Sequence, residues 1–272
     1  MSEIPKSITN ASRKTTSQGN TATSHQDMAM LRLLKAKEKG KSAQDILLIK
    51  TENPWAIYER IYDMTLGMNE PFLVVEHDHI NMLELIQHPN FATAQEIYKL
   101  EDSYLVVFEH IPLSLAEAVG NPFLNRPRLA AIIGQIVEAL GFLETHGLSH
   151  RHLKPSTILL HPSGRVKLIG QENCTKSTSQ KDIRDLGRVM MELIQGYAKD
   201  SENVGLDNPQ SWDVDVVDFL SATTSASSAS ELQKHPFIQH WQKERLKGLI
   251  SLVMKWAMPD YEYRGSVANE EA

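Results

Sequence analysis

Residues Gly147–Glu172 read GLSHRHLKPSTILLHPSGRVKLIGQE, and this stretch decides the fold. ILL (Ile158 to Leu160) and VKLI (Val166 to Ile169) are short apolar runs of strand-forming residues. His161-Pro162-Ser163-Gly164 lies between them and supplies the Pro and Gly of a tight bend, so the pair predicts a hairpin. Ahead of it, His150-Arg151-His152-Leu153-Lys154-Pro155 concentrates side chains able to carry protons or charge. Further back, Pro127 to His146 sets Leu129, Ile132, Ile133, Ile136, Leu140 and Leu143 on one helical face. The local order is therefore a long helix, a basic loop and a hairpin.

Working outward towards the N-terminus, ILLI (Ile46 to Ile49), WAIYERIYDM (Trp55 to Met64) and FLVV (Phe72 to Val75) read as strands. HINMLELI (His79 to Ile86) repeats apolar residues at helical spacing and is stopped by His88-Pro89-Asn90. TAQEIYKL and SYLVVFEHI (Ser103 to Ile111) predict a hairpin across Glu101-Asp102. Beyond the opening stretch, Asp182 to Tyr197 predicts a second long helix with Leu186, Val189, Met190 and Leu193 inward. Leu115 to Val119 reads as one short helical piece. The low-complexity run SATTSASSAS (Ser221 to Ser230) predicts a loop, and Leu232 to Trp256 a helix broken near Pro236.

Composition bounds the function. The 272 residues carry a formal net charge of −6, which gives no electrostatic case for nucleic acid. Residues 1–50 hold nine Lys/Arg against four Asp/Glu, so the body carries the acidic excess. Residues 1–27 are polar and nearly free of large apolar groups, which predicts disorder. Met28, Leu31 and Leu34 follow at the spacing of a short helix, which Gly40 would end. Cys174 is the one cysteine, so no internal disulfide can form; this suits an intracellular protein, cytoplasmic or nuclear. No apolar run reaches the roughly 18–20 residues of a membrane-spanning helix, so no membrane partner is expected.

Together, a small sheet with one helix, a connecting strand, a helical half and H-R-x-L-K-P-x-x-I-L-L resemble a eukaryotic protein kinase domain of the Ser/Thr type. The resemblance covers roughly residues 45–240. SYLVVFEHI resembles the hinge strand, QHPN the end of the small lobe's helix, DIRDLGRVMMELIQG the central large-lobe helix, and ELQKHPFI the end of the domain. The fold it implies is α+β and two-lobed: a small β-rich N-lobe over 45–111 and a larger helical C-lobe over 112–258. A basic arm (1–44) and a polar tail (259–272) flank them.

The resemblance also assigns positions. In the family the loop reads H-R-D-L-K-P-x-N and is followed after the hairpin by D-F-G. Here the proton-accepting Asp is His152, the Asn that would hold a second Mg²⁺ is Thr157, and the metal-binding Asp is Gly170, while Lys154 is retained. Gly170 offers no side-chain oxygen to a hard cation, and Gln171 replaces the aromatic residue. Glu172, two positions on, is the nearest carboxylate that could substitute. No G-x-G-x-x-G lies over residues 40–70, and the phosphate-contacting Lys falls near Val75 or Glu76, or on Lys50 if ILLIK is the strand concerned. The small lobe's helical glutamate falls on His79. Gly170 and Asp182 are only twelve positions apart, and A-P-E is absent, so the platform for a peptide substrate is missing.

The resemblance then implies that His150, Arg151 and Asp182 anchor the loop architecturally. Phe108 is the gatekeeper, Glu109 to Ile111 the adenine-facing backbone, and Leu159 a further nucleotide contact. No functional catalytic residue and no metal site are expected. His146, His150, His152 and His161 have no established zinc spacing and no Cys partner. Cys174 lacks a neighbouring His and is expected to be inert. The expectation is a pseudokinase acting as a binding, scaffold or regulatory module for a protein partner, with no required cofactor. ATP binding without Mg²⁺ stays open, because a hinge uses backbone groups that almost any sequence supplies. The alternative is a divergent but active ATP-dependent Ser/Thr kinase, since an imidazole at position 152 can accept a proton near neutral pH.

Overall fold

A computed structural model describes residues 11–13, 49–53, 58–60, 72–76, 79–111, 113–177, 180–199, 204–249 and 251–253. The N-terminal part is a four-stranded sheet. Its strands are β2 (Ile49–Lys50), β4 (Phe72–Glu76), β5 (Ala94–Lys99) and β6 (Ser103–Phe108), in the order β2-β5-β6-β4. β5 and β6 form the expected hairpin, closed by Leu100 N–H donating to the Ser103 carbonyl at 2.9 Å. β1 (Ala11–Arg13) pairs with β3 (Tyr58–Arg60), so three residues of the arm expected to be disordered lie in a strand. Backbone pairing requires no apolar side chain, so composition does not reveal it. The expected helix near Met28, the strand residues Ile46 to Leu48, and the tail 259–272 fall outside the described residues.

One helix, α1 (Ile80–Leu85), crosses the sheet and buries Ile80 and Leu83 against Val75, Ile97, Tyr104 and Val106. The C-terminal part has a separate, larger core. At its centre is α2 (Arg126–Thr145), capped by the Asn125 carboxamide accepting from Arg128 N–H at 3.2 Å, with Pro127 in the first turn. Leu129, Ile132, Ile133, Ile136, Leu140 and Leu143 are all buried, as the periodicity predicts. β7 (Leu113–Ser114), β9 (Ile158–Leu160) and β10 (Val166–Leu168) make a small sheet, and β8 (Leu148–Ser149) pairs with β11 (Thr175–Lys176). α3 (Gln180–Gln195), α4 (Val214–Ser225) and α5 (Ala229–Leu232) complete the core.

Two expectations near the C-terminus are corrected. SATTSASSAS is mostly helical: Ser221 to Ser225 finish α4, and Ser228 caps α5 by accepting from Glu231 N–H at 3.1 Å. The run reads as a loop only because Ser and Ala say little about packing; Phe219, Leu220 and Thr223 set the helix by burying one face. The helix expected over Leu232 to Trp256, broken near Pro236, is instead the end of α5, a series of turns and a 3₁₀ turn at Lys243–Leu246, with helical backbone at Leu249 and Ser251 to Val253.

The two parts meet along a backbone seam. Leu168 N–H donates to the Asn90 carbonyl at 2.8 Å, and Ala92 N–H donates to the Leu168 carbonyl at 2.9 Å. Gln135, buried in α2, reinforces the seam from below. Its Oε1 accepts from Asn90 Nδ2 and from Val166 N–H, each at 3.0 Å. Its Nε2 donates to the Gly164 carbonyl at 3.1 Å and to the Ala131 carbonyl at 3.0 Å. Asn90 also reaches the Val166 carbonyl at 2.8 Å. A polar side chain on the apolar stripe of a long helix signals such a network, and the sequence does carry that signal at Gln135.

Candidate functional site: the loop frame and the hinge

The basic loop is held from α3. Asp182, 1% exposed, accepts three hydrogen bonds: from Ser149 Oγ and His150 N–H at 2.8 Å each, and from Arg151 N–H at 2.6 Å. Arg151 adopts a left-handed backbone at φ 64°, a conformation a non-glycine residue holds only under local constraint. The Asp182 carboxylate on its N–H supplies that constraint. His150 is fully buried and donates from Nε2 to the Ile169 carbonyl at 2.9 Å; a carbonyl can only accept, which fixes the tautomer. Burial lowers the His150 pKa against the opposite pull of Asp182, so the ring is neutral near pH 7.

His152 and Lys154 are exposed beside this frame. Thr157 Oγ1 turns inward to the loop itself, accepting from Lys154 N–H at 3.1 Å and lying 2.9 Å from the His152 carbonyl. Gly170 also has a left-handed backbone, at φ 95°. Gln171 is buried and bridges the two parts of the chain, its Nε2 donating to the Ala92 carbonyl at 2.8 Å. Glu172 is 8% exposed; Asn173 Nδ2 donates to its Oε1 at 2.6 Å, and Oε2 is buried without a partner among the described residues. Burial pushes its carboxyl pKa up, while His79 at the start of α1 and His152 pull it back without cancelling the rise.

At the hinge, Phe108 is half-buried and packs against the N-terminal core. Glu109 N–H donates to the Thr93 carbonyl at 2.9 Å, so this position presents no free N–H. Ile111 is buried, and so is Leu159, which sits opposite Lys167 in the β9–β10 ladder. Sequence reasoning missed Lys167. Its buried Nζ forms an ion pair with Glu109 and donates to the Phe91 carbonyl at 3.2 Å. Burial alone would raise the Glu109 pKa; hydrogen bonds from Lys167 and Thr93 outweigh it and hold the carboxyl below its usual value.

That pair makes stability depend on acid. A carboxyl whose folded pKa is depressed stabilises the fold above its ordinary value, and the contribution disappears as pH falls through the folded pKa. Glu109→Gln is therefore expected to cost about 2 kcal/mol at neutral pH, where it leaves Lys167 buried without a counter-charge. Against wild type, that difference should shrink on acidification below the usual carboxyl range. Urea melts at both pH values check it, and a pH-independent difference would remove the ion pair as its cause.

Comparison with known families fixes what this frame belongs to. The protein kinase domain family matches residues 74–196, which contain the hinge, α2, the basic loop, the β9–β10 hairpin and α3. Over those residues the chain is similar to a protein kinase domain. It is 22% identical over 205 residues to the probable serine/threonine-protein kinase mkcC of Dictyostelium discoideum, covering 59% of this chain and 23% of that protein. It is 24% identical over 185 residues to mkcD of the same organism, covering 64% and 26%. With the probable serine/threonine-protein kinase FMP48 of Saccharomyces cerevisiae it shares 28% identity over 120 residues, covering 40% and 32%. The chain thus spans a third or less of the length of these relatives.

Strand order sets apart the two positions weighed for the phosphate-contacting Lys. The hinge strand β6 has its hairpin partner β5 on one side and β4, ending at Val75 and Glu76, on the other. Lys50 lies on β2, at the opposite edge, bonded to Glu96 at 2.7 Å and set over the Tyr98 ring. Lys50 is thus separated from the hinge strand by β5. Of the four imidazoles weighed for zinc, His146 uses Nδ1 on the Phe142 carbonyl and His161 on Ser163 Oγ. No group of three metal-ligating side chains occurs among the described residues. No described helix is long and apolar enough to cross a membrane.

Cys174 is buried at the end of the turn that follows Gly170, and burial, with Asp182 and Glu172 nearby, pushes its thiol up to about 12. The thiolate is the nucleophile, so the native protein is expected to resist a disulfide-exchange reagent at pH 8 and to react at once in denaturant. Equal rates with and without denaturant would place the thiol at the surface.

Proposed function

We propose that this kinase domain binds rather than phosphorylates, as a pseudokinase serving as a binding or scaffold module for a protein partner. The observation that carries the reading is Gly170. It occupies the position where the family supplies a metal-binding carboxylate, and it presents no oxygen on a side chain. The nearby oxygens do not compensate. Thr157 Oγ1 is spent within its own loop, and Glu172 is buried with Oε1 bonded to Asn173. These residues do not fit Mg²⁺. At the hinge, the Glu109 N–H is bonded to Thr93, which removes one nucleotide-facing donor; the other hinge groups leave metal-free ATP binding to be measured.

The test is thermal shift with ATP, with and without Mg²⁺, alongside a radiolabelled phosphate-transfer assay. The expected result is a shift that is absent or indifferent to Mg²⁺, and no transfer. A Mg²⁺-dependent shift with autophosphorylation abolished by His152→Ala would overturn the reading in favour of a divergent Ser/Thr kinase.

A further inference from the structure

The short connection between Gly170 and Asp182 has a spatial result. Its turn at Gln171–Asn173 and the strand β11 fold back against β8, and α3 begins at Gln180. One face of α3 and the outer side of the basic loop together line a cavity of about 390 Å³. Five cationic side chains surround it: Arg151, Lys154, Lys181, Arg188 and Lys199. Leu153 and Val189 contribute apolar lining.

The charge balance of this cavity opposes that of the molecule. Asp185 and Glu192 are the acids in the lining, in a chain of net charge −6. Asp185 is already engaged, by Lys181 at 2.5 Å and Arg188 at 3.4 Å, and Lys199 is held by Asp207 at 2.6 Å. Arg151 and Lys154 have no ion-pair partner among the described residues, and both are exposed at the mouth. A long polyanion such as RNA would meet this patch and then the acidic remainder of the body, which repels it. A short acidic segment meets only the patch.

We propose that this cavity receives an acidic segment of a partner protein, its carboxylates against Arg151 and Lys154. The proposal extends the binding-module reading but stands apart from it, because the cavity exists whether or not phosphate is transferred.

The probe is a fluorescein-labelled peptide of glutamates interspersed with glycine, titrated with the full chain by anisotropy. A lysine-for-glutamate peptide and a single-stranded RNA of matching net charge are run beside it. The glutamate peptide is expected to bind, to weaken with added salt, and to lose about tenfold or more in affinity in the double variant Lys154→Glu/Arg188→Glu. Lys234→Glu, on an exposed turn elsewhere, should bind as wild type does. Circular dichroism melts of both variants confirm the fold; Asp185 keeps Lys181 when Arg188 is changed. No peptide binding, undiminished binding by the double variant, or tighter binding of RNA would each overturn the proposal. The ATP titration on the same samples reads the other side of the loop, so the two readings fail separately.

Discussion

Asp182→Ala is expected to destabilise the domain by about 4 kcal/mol. The carboxylate is buried and accepts from Ser149 Oγ, His150 N–H and Arg151 N–H. Bonds to a charged acceptor contribute about 1.5–3 kcal/mol each, and their sum is not additive because one group serves all three. Alanine leaves these donors buried or half-buried without an acceptor, and it frees Arg151 from the bond that holds its left-handed backbone. Asp182→Asn is the graded control: it preserves shape and one acceptor but turns an NH₂ towards a donor, so its loss should be intermediate. Urea denaturation measures both. A loss below about 1 kcal/mol for the alanine variant would show that the loop does not depend on this anchor.

Gln135→Leu is expected to cost about 3 kcal/mol, although it keeps volume and adds apolar surface. The leucine has no polar atoms, so the Val166 N–H and Gly164 carbonyl lose their partner inside the core, and Asn90 loses one of its two acceptors. Leaving buried polar groups unmatched outweighs the apolar gain. The effect should be local as well as global. Hydrogen exchange at Val166 and its hairpin neighbours should accelerate more than in the distant strand β5. Unchanged stability with unchanged exchange would mean that the network is dispensable.

Much of this architecture is legible in the sequence. The hairpin is set by Pro162 and Gly164 between two apolar runs, α2 by its 3.6-residue periodicity and its Pro127, and α1 by its stop at Pro89. These signals are local, which is why they survive without a structure. Strand order is not local: nothing around Lys50 says that β2 lies at the far edge from β4. The engagement of Glu109 by Lys167 joins residues 58 positions apart and leaves no periodic trace. Around the loop, residue identities place Gly170 and His152, but the hydrogen bonds that turn Thr157 and Glu172 away from a ligand depend on backbone atoms the alphabet does not encode. The low-complexity segment fails for a different reason, because Ser and Ala accept either helix or loop and burial makes the choice.

The seam between the two parts fixes an axis. Its closest ties are main-chain bonds at Asn90, Ala92 and Leu168, flanked by Gln171 to the Ala92 carbonyl. Backbone groups cannot be lengthened by choosing another rotamer, so any change in the angle between the sheet and the helical core must turn about these residues. Displacement then grows with distance from Phe91, as along a door from its pins. The far end of the β5–β6 hairpin, at Glu101 and Asp102, would sweep a wide arc, and the loop frame around His150, whose ring lies 6.3 Å from that of Phe91, would scarcely move.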